Sequence, residues 1–162
     1  MCKITPIYLY LYPVPYKITE HVLIEVSAAT LFDYTQDYNT RLDWDTFLRK
    51  AIILNGATAA AQGVSTYCEA RNFIGMETVY LTFNRPKVTA VKMTKGPWLF
   101  KSFSGSWQFI SLSDYRTDVI FTYSFTLRFP FSVFGRLIQS GFKRNVRQRL
   151  SDLSKCMQNK ML

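Results

Sequence analysis

The chain has 162 residues, 48% of them hydrophobic and 16% aromatic, and carries a formal net charge of +9, which suits one ordinary domain with one well-stocked core. Its three cysteines, Cys2, Cys68 and Cys156, are odd in number, form no C-x-x-C pair and have only His21 to join them, which argues against a disulfide framework and a structural zinc site. Free thiols fit a reducing compartment, and the cytoplasm is the expected location.

Residues 1–17 read as an N-terminal extension in which Ile7, Leu9 and Leu11 alternate with Tyr8, Tyr10 and Tyr12. This apolar run is followed by prolines and lacks a small-residue cleavage site, so a secretory signal is the lesser reading of it. Three roles are open to it: extending the first strand, pairing with an exposed sheet edge, or covering a pocket mouth. No other stretch reaches the roughly 18 consecutive apolar residues of a membrane span.

The predicted domain covers residues 18–160. Ile18 to Val26 alternates as a strand, with Ile18, Glu20, Val22, Ile24 and Val26 on one face. Ser27 then caps a short helix over Ala28 to Tyr34, and a second helical turn covers Thr40 to Trp44. Both are too short to carry a core and are expected to plug the sheet. Six further strands are predicted near 47–55, 63–72, 76–84, 87–95, 102–112 and 118–128, separated by turn residues such as Asn55-Gly56, Asn84-Arg85-Pro86 and Gly96-Pro97. Short connections make them an antiparallel meander.

Pro130 ends the last strand, Ser132 is placed to cap, and a final helix is expected from about Val133 to Met157. Phe134, Leu137, Ile138, Phe142, Val146, Leu150, Leu153 and Met157 recur every three or four residues on one face, while Arg136, Lys143, Arg144, Arg147 and Lys155 fall elsewhere. From Phe131 onward seven basic residues stand against Asp152 alone. Such a face is either solvated or available to anionic partners, an acidic membrane surface first among them.

These elements, in this order, resemble the helix-grip fold of the START-like (SRPBCC) superfamily. Within it the chain is most similar to the polyketide cyclase/dehydrase and lipid transport group, which shares the fold with the plant Bet v 1-type allergens. The resemblance rests on Ile24-Glu25-Val26-Ser27-Ala28 running into Leu31-Phe32, on Asp37 with Arg41 and Trp44, on Phe103-Ser104-Gly105-Ser106-Trp107, and on Thr117-Asp118-Val119 leading to Tyr123 and Phe125. It implies an α+β architecture: a seven-stranded curved antiparallel sheet wrapped around a long C-terminal helix, with two short helices after the first strand. It also implies a cavity for a lipid, polyketide or similar molecule. It carries over no catalytic residue, because the superfamily shares no catalytic motif.

Alternation places Phe103, Trp107 and Phe109 on one strand, and Phe121, Tyr123 and Phe125 with Val119 and Leu127 on the next, facing the helix. Together with Ile138, Phe142 and Asn145 on the helix they are the expected ligand-binding wall, weighed against an ordinary solid core. Glu77, Val79 and Leu81 share a face with Phe83. Were that face interior, Glu77 would be a desolvated carboxylate able to donate a proton or hold a ligand hydroxyl, a reading that a single bulge would invert. Asp43-Trp44-Asp45 reads as a packing tryptophan between capping or exposed carboxylates, and His21 as an ordinary strand residue. Tyr67, Tyr80 and Tyr123 are candidate pocket hydroxyls. No phosphate-cradling loop, metal cluster or nucleophile elbow is present, so no metal or nucleotide cofactor is expected. The expected function is carriage of a small hydrophobic molecule, with a cyclase or dehydratase using the same pocket as the alternative. Nucleic-acid binding through Lys143, Arg144, Arg147 and Arg149 ranks last for want of a recognised motif.

Overall fold

The computed structural model of the chain describes residues 15–160, so the tyrosines at 8, 10 and 12 lie outside the described residues. Strand β1 (Tyr16–Ile24) leads into helices α1 (Ala28–Gln36) and α2 (Arg41–Trp44). The meander follows as β2 (Leu48–Ile53), β3 (Ser65–Ala70), β4 (Gly75–Asn84), β5 (Val88–Lys95), β6 (Phe100–Ser113) and β7 (Arg116–Leu127). A 3-10 turn at Phe131–Phe134 then enters the long helix α3 (Gly135–Lys160). Every strand begins and ends within two residues of its sequence expectation.

The sheet order is β1-β7-β6-β5-β4-β3-β2, antiparallel throughout. The tight turns from β3 to β7 allow only neighbouring antiparallel pairs, and the longer loop over 54–64 returns β2 to the edge beside β3. Two short helices carry the chain from β1 to β2, which frees β1 to pair with β7, and the register Ile18↔Tyr123 and Val22↔Val119 sets their core faces side by side. This is the helix-grip arrangement, a curled half-barrel closed by α3.

Local chemistry sets the entries to the helices. Ser27 Oγ accepts the Thr30 backbone N–H at 3.2 Å, the predicted cap of α1. Ser132 does not cap α3: it lies inside the 3-10 turn that follows Pro130, and no side chain caps that turn. The helix proper begins at Gly135, where a Cβ would collide with the Tyr16 hydroxyl, so the absence of a side chain lets α3 press against β1.

Ile18, Ile24, Val119, Phe125, Leu127, Val146, Leu150, Leu153 and Met157 are buried together, joined by Leu31 and Phe32 from α1. Each fully buried apolar side chain contributes about 1.5–3 kcal/mol over leaving it in water. Trp44 docks edge-on to Trp107 with ring centroids 5.9 Å apart, which fixes α2 on the sheet. The leading turns of α3 meet this core only through the half-buried Ile138 and Phe142. Phe134 and Leu137, expected on the buried stripe, are 57% and 72% exposed: Phe134 belongs to the 3-10 turn ahead of α3, and the run of fully buried apolar side chains on the helix starts only at Val146. No helix among the described residues is long and apolar enough to cross a membrane.

Candidate ligand cavity

Between the concave sheet and the leading half of α3 lies a cavity of about 330 Å³, within the range of small-molecule sites. Strands β6 and β7 supply Phe103, Gly105, Trp107, Phe121 and Tyr123. Strands β3 to β5 supply Cys68, Ala70, Met76, Thr78, Tyr80, Thr89 and Val91. Helix α3 supplies Ile138, Gly141, Phe142, Asn145 and Arg149, which its three-and-four spacing brings to one side. Gly105 keeps the wall thin, since a Cβ there would stand 3.2 Å from the Tyr123 ring. The mouth is marked by the exposed Asn72 and Ile74 of the β3–β4 turn and by Gly141.

Of the residues expected at the wall, Phe103, Trp107, Phe121, Tyr123, Ile138, Phe142 and Asn145 line this cavity. Phe109 and Phe125 are buried but belong to solid packing at its two ends. Phe109 meets Phe32 at 5.6 Å, and Phe125 lies between Tyr16 at 5.5 Å and Phe100 at 5.7 Å. Glu77, Val79 and Leu81 face the other way. Met76, Thr78 and Tyr80 are the inward residues of β4, and register shifts between Glu77 and Thr78 and between Tyr80 and Thr82 let Phe83 turn inward without its supposed partners. Glu77 accordingly pairs with Lys95 Nζ at 3.2 Å on the outer face, and Leu81 is 52% exposed. Tyr67 also points outward and donates to Glu69 Oε2 at 2.6 Å. His21 is exposed beside Asp118 at 2.9 Å.

The floor of the cavity holds a polar cluster that contradicts two expectations. Asp45, expected as an exposed or capping carboxylate, is 0% exposed. Arg149, grouped with the outward basic residues, has a side chain only 4% exposed. Its guanidinium grips Asp45 through Nε at 3.1 Å to Oδ1 and Nη2 at 2.6 Å to Oδ2, and Nη1 donates to the Tyr123 hydroxyl. Arg41 Nε donates to the same Asp45 Oδ2 at 3.0 Å, its Nη1 donates to the Thr35 carbonyl at 2.5 Å, and its plane lies over Trp44 at 4.8 Å. The single turn of α2 sets Arg41 and Asp45 four residues apart on one side. The signal for Arg149 was in the helical period, since it stands three residues after Val146 and four before Leu153 on the buried stripe.

Burial opposes the charge of Arg149, but the Asp45 carboxylate and the Tyr123 oxygen more than offset it and hold its pKa above the ordinary arginine value. Burial pushes the Tyr123 phenol up despite the opposing Arg149 and Arg41 charges. It pushes the Cys68 thiol up in the same way, so Cys68 is a neutral wall group rather than a nucleophile. A second polar chain runs along the opposite wall: Tyr80 donates to Gln36 Oε1 at 2.9 Å, Tyr38 and Tyr80 hydroxyls lie 3.3 Å apart, and Gln36 Nε2 donates to Thr35 Oγ1 at 3.0 Å.

The outer face of α3 is less free than its charge suggests. Glu20 of β1 takes Arg147 Nε at 3.0 Å and Lys143 Nζ at 3.5 Å. Partial burial disfavours the Glu20 carboxylate, but the hydrogen bond and charge of Arg147, with Lys143, outweigh it and lower its pKa below the usual 4.5. A carboxyl whose folded pKa is depressed stabilises the fold above its unfolded pKa, and that contribution is lost as pH falls through the folded value. Glu20→Gln is therefore expected to lower stability by under about 1 kcal/mol at neutral pH. Thermal melts of the two proteins should converge as the pH is taken below 4.5, and a gap that is constant with pH would show that this charge contributes nothing.

No curated protein sequence matches the chain. Solved structures share its fold. The Zhui aromatase/cyclase from Streptomyces sp. R1128 superposes with a TM-score of 0.77 at 15% identity, covering 92% of this chain and 97% of that one. A START superfamily protein from Mycobacterium smegmatis gives 0.76 at 12%, covering 88% and 97%. Norcoclaurine synthase from Thalictrum flavum, in complex with dopamine and hydroxybenzaldehyde, gives 0.69 at 10%, covering 98% and 95%. At these identities the likeness speaks for the fold alone. The family model described as polyketide cyclase/dehydrase and lipid transport matches residues 15–158, nearly the whole described chain, and the protein belongs to that family.

Proposed function

We propose that this protein binds a small hydrophobic molecule in the cavity between the sheet and α3 and carries it. The observation behind the reading is the open-mouthed space of about 330 Å³ walled largely by aromatic and aliphatic side chains, with a few polar groups at its floor. Apolar burial at roughly 25 cal/mol per Å² supplies affinity, and the polar groups supply orientation. Loading at an anionic lipid surface fits the exposed apolar Trp98, Phe134 and Leu137 together with the exposed basic Arg136 and Arg144 on α3. We place the carrier in the cytoplasm, on the odd number and spacing of its cysteines.

Binding is tested with N-phenyl-1-naphthylamine, an uncharged dye whose fluorescence rises in apolar surroundings, and by native mass spectrometry of protein from its own cells. Saturable enhancement of the dye, or a co-purifying small molecule, is the expected result. A protein of bare mass that leaves the dye unaltered would retire the proposal.

A second reading, ring closure of a reactive polyketone, is favoured by the buried Tyr123 hydroxyl held by Arg149 at the wall, a donor arrangement able to stabilise an enolate oxygen. It requires that Tyr123→Phe abolish cyclised product from a linear polyketone thioester while dye binding persists.

A further inference from the structure

The floor of the cavity is out of charge balance. Arg41 and Arg149 both line the space, with side chains 7% and 4% exposed, and both lean on one carboxylate, Asp45. Asp45 itself is fully buried behind them, and no acidic residue among the described residues lines the cavity. The remaining titratable wall groups, Tyr38, Cys68, Tyr80 and Tyr123, are all held in their neutral forms by burial. Two buried cations against one anion leave a net positive charge away from bulk water, an arrangement that is unfavourable until a counter-charge enters.

Donor capacity is also left over. Arg41 uses Nε on Asp45 and Nη1 on the Thr35 carbonyl, while Nη2 has no hydrogen-bond partner among the described residues. One helical turn before Arg149, Asn145 lines the same space with a buried, unpartnered amide oxygen. A half-turn of that amide exchanges its oxygen for its NH2 donors. A guanidinium NH2 and a carboxamide at the base of an otherwise apolar chamber match the oxygens of a carboxylate.

We infer that the cavity's guest is an amphipathic monocarboxylic acid, its apolar body among Phe103, Trp107, Phe121 and Phe142 and its carboxylate against Arg41 and Asn145. This rests on the carrier reading and names its ligand class.

The test uses the full-length protein loaded with N-phenyl-1-naphthylamine and displaces the dye with three probes that share one chain: decanoate, decanol and decylamine. Decanoate is expected to displace at a concentration at least about tenfold below that of decanol, the scale of one charge-assisted hydrogen bond, with decylamine the weakest. In Arg41→Met, which leaves Asp45 and Arg149 as a balanced pair, the preference for acid over alcohol should fall below about threefold. Equal displacement by acid and alcohol in the wild type would overturn the inference while leaving the carrier reading intact. So would a preference that survives Arg41→Met, since it would put the acid against other cations. Failure of the dye itself to bind would remove both. If Arg41→Met does not fold, the wild-type ranking of the three probes decides alone.

Discussion

Replacing Asp45 with alanine is expected to cost about 3–5 kcal/mol of folding stability, the penalty for stranding buried charge by removing its partner. Asp45 joins α2 to α3 through Arg41 and Arg149, and its loss leaves two guanidiniums buried with no counter-charge. Urea denaturation would show the loss as a lower midpoint. Asp43→Ala, two residues away on the exposed side of the same turn, is the control and should stay within about 0.5 kcal/mol of wild type. Equal effects at the two positions would mean that the cluster at the cavity floor does not hold the fold together.

Placing phenylalanine at Gly141 is expected to weaken dye binding at least about tenfold while changing stability by no more than about 1 kcal/mol. A Cβ built at Gly141 meets nothing within 4 Å, so a large side chain there has room and projects at the mouth of the cavity. Glycine is a poor helix former, and its replacement within α3 recovers part of that deficit. Gly141→Ala separates the two effects: it should raise the melting temperature slightly and leave the dye affinity as it was. Undiminished dye binding by Gly141→Phe, measured by fluorescence titration, would show that the dye enters elsewhere.

The fold was legible because two simple periods run unbroken where it matters most. Alternation along β6 and β7 placed Phe103, Trp107, Phe121 and Tyr123 inside, and the helical repeat from Val146 to Met157 marked the packed side of α3. What escaped was the chemistry. Asp45 and Arg149 carry full charges, and charged residues read from sequence are assigned to the surface, since their burial depends on partners far apart along the chain. Here the partners are brought together by the packing of Trp44 on Trp107 and of α3 on the sheet, neither of which is a local property. β4 escaped for another reason: its register shifts break the alternation between Tyr80 and Phe83, so a face that looked continuous in the sequence is divided between two sides of the sheet.

The terminal helix is tethered unequally along its length. Its trailing turns are clamped by Arg149, Leu150, Leu153 and Met157, whereas its leading turns span the void with Gly141 and Phe142 and leave Leu137 in water. A guest seated under the leading turns is thus covered by the Gln139–Lys17 bond, the Lys143–Glu20 pair and the ring contacts of Phe142, whereas the Asp45–Arg149 grip lies one turn deeper and fixes the other half of the rod.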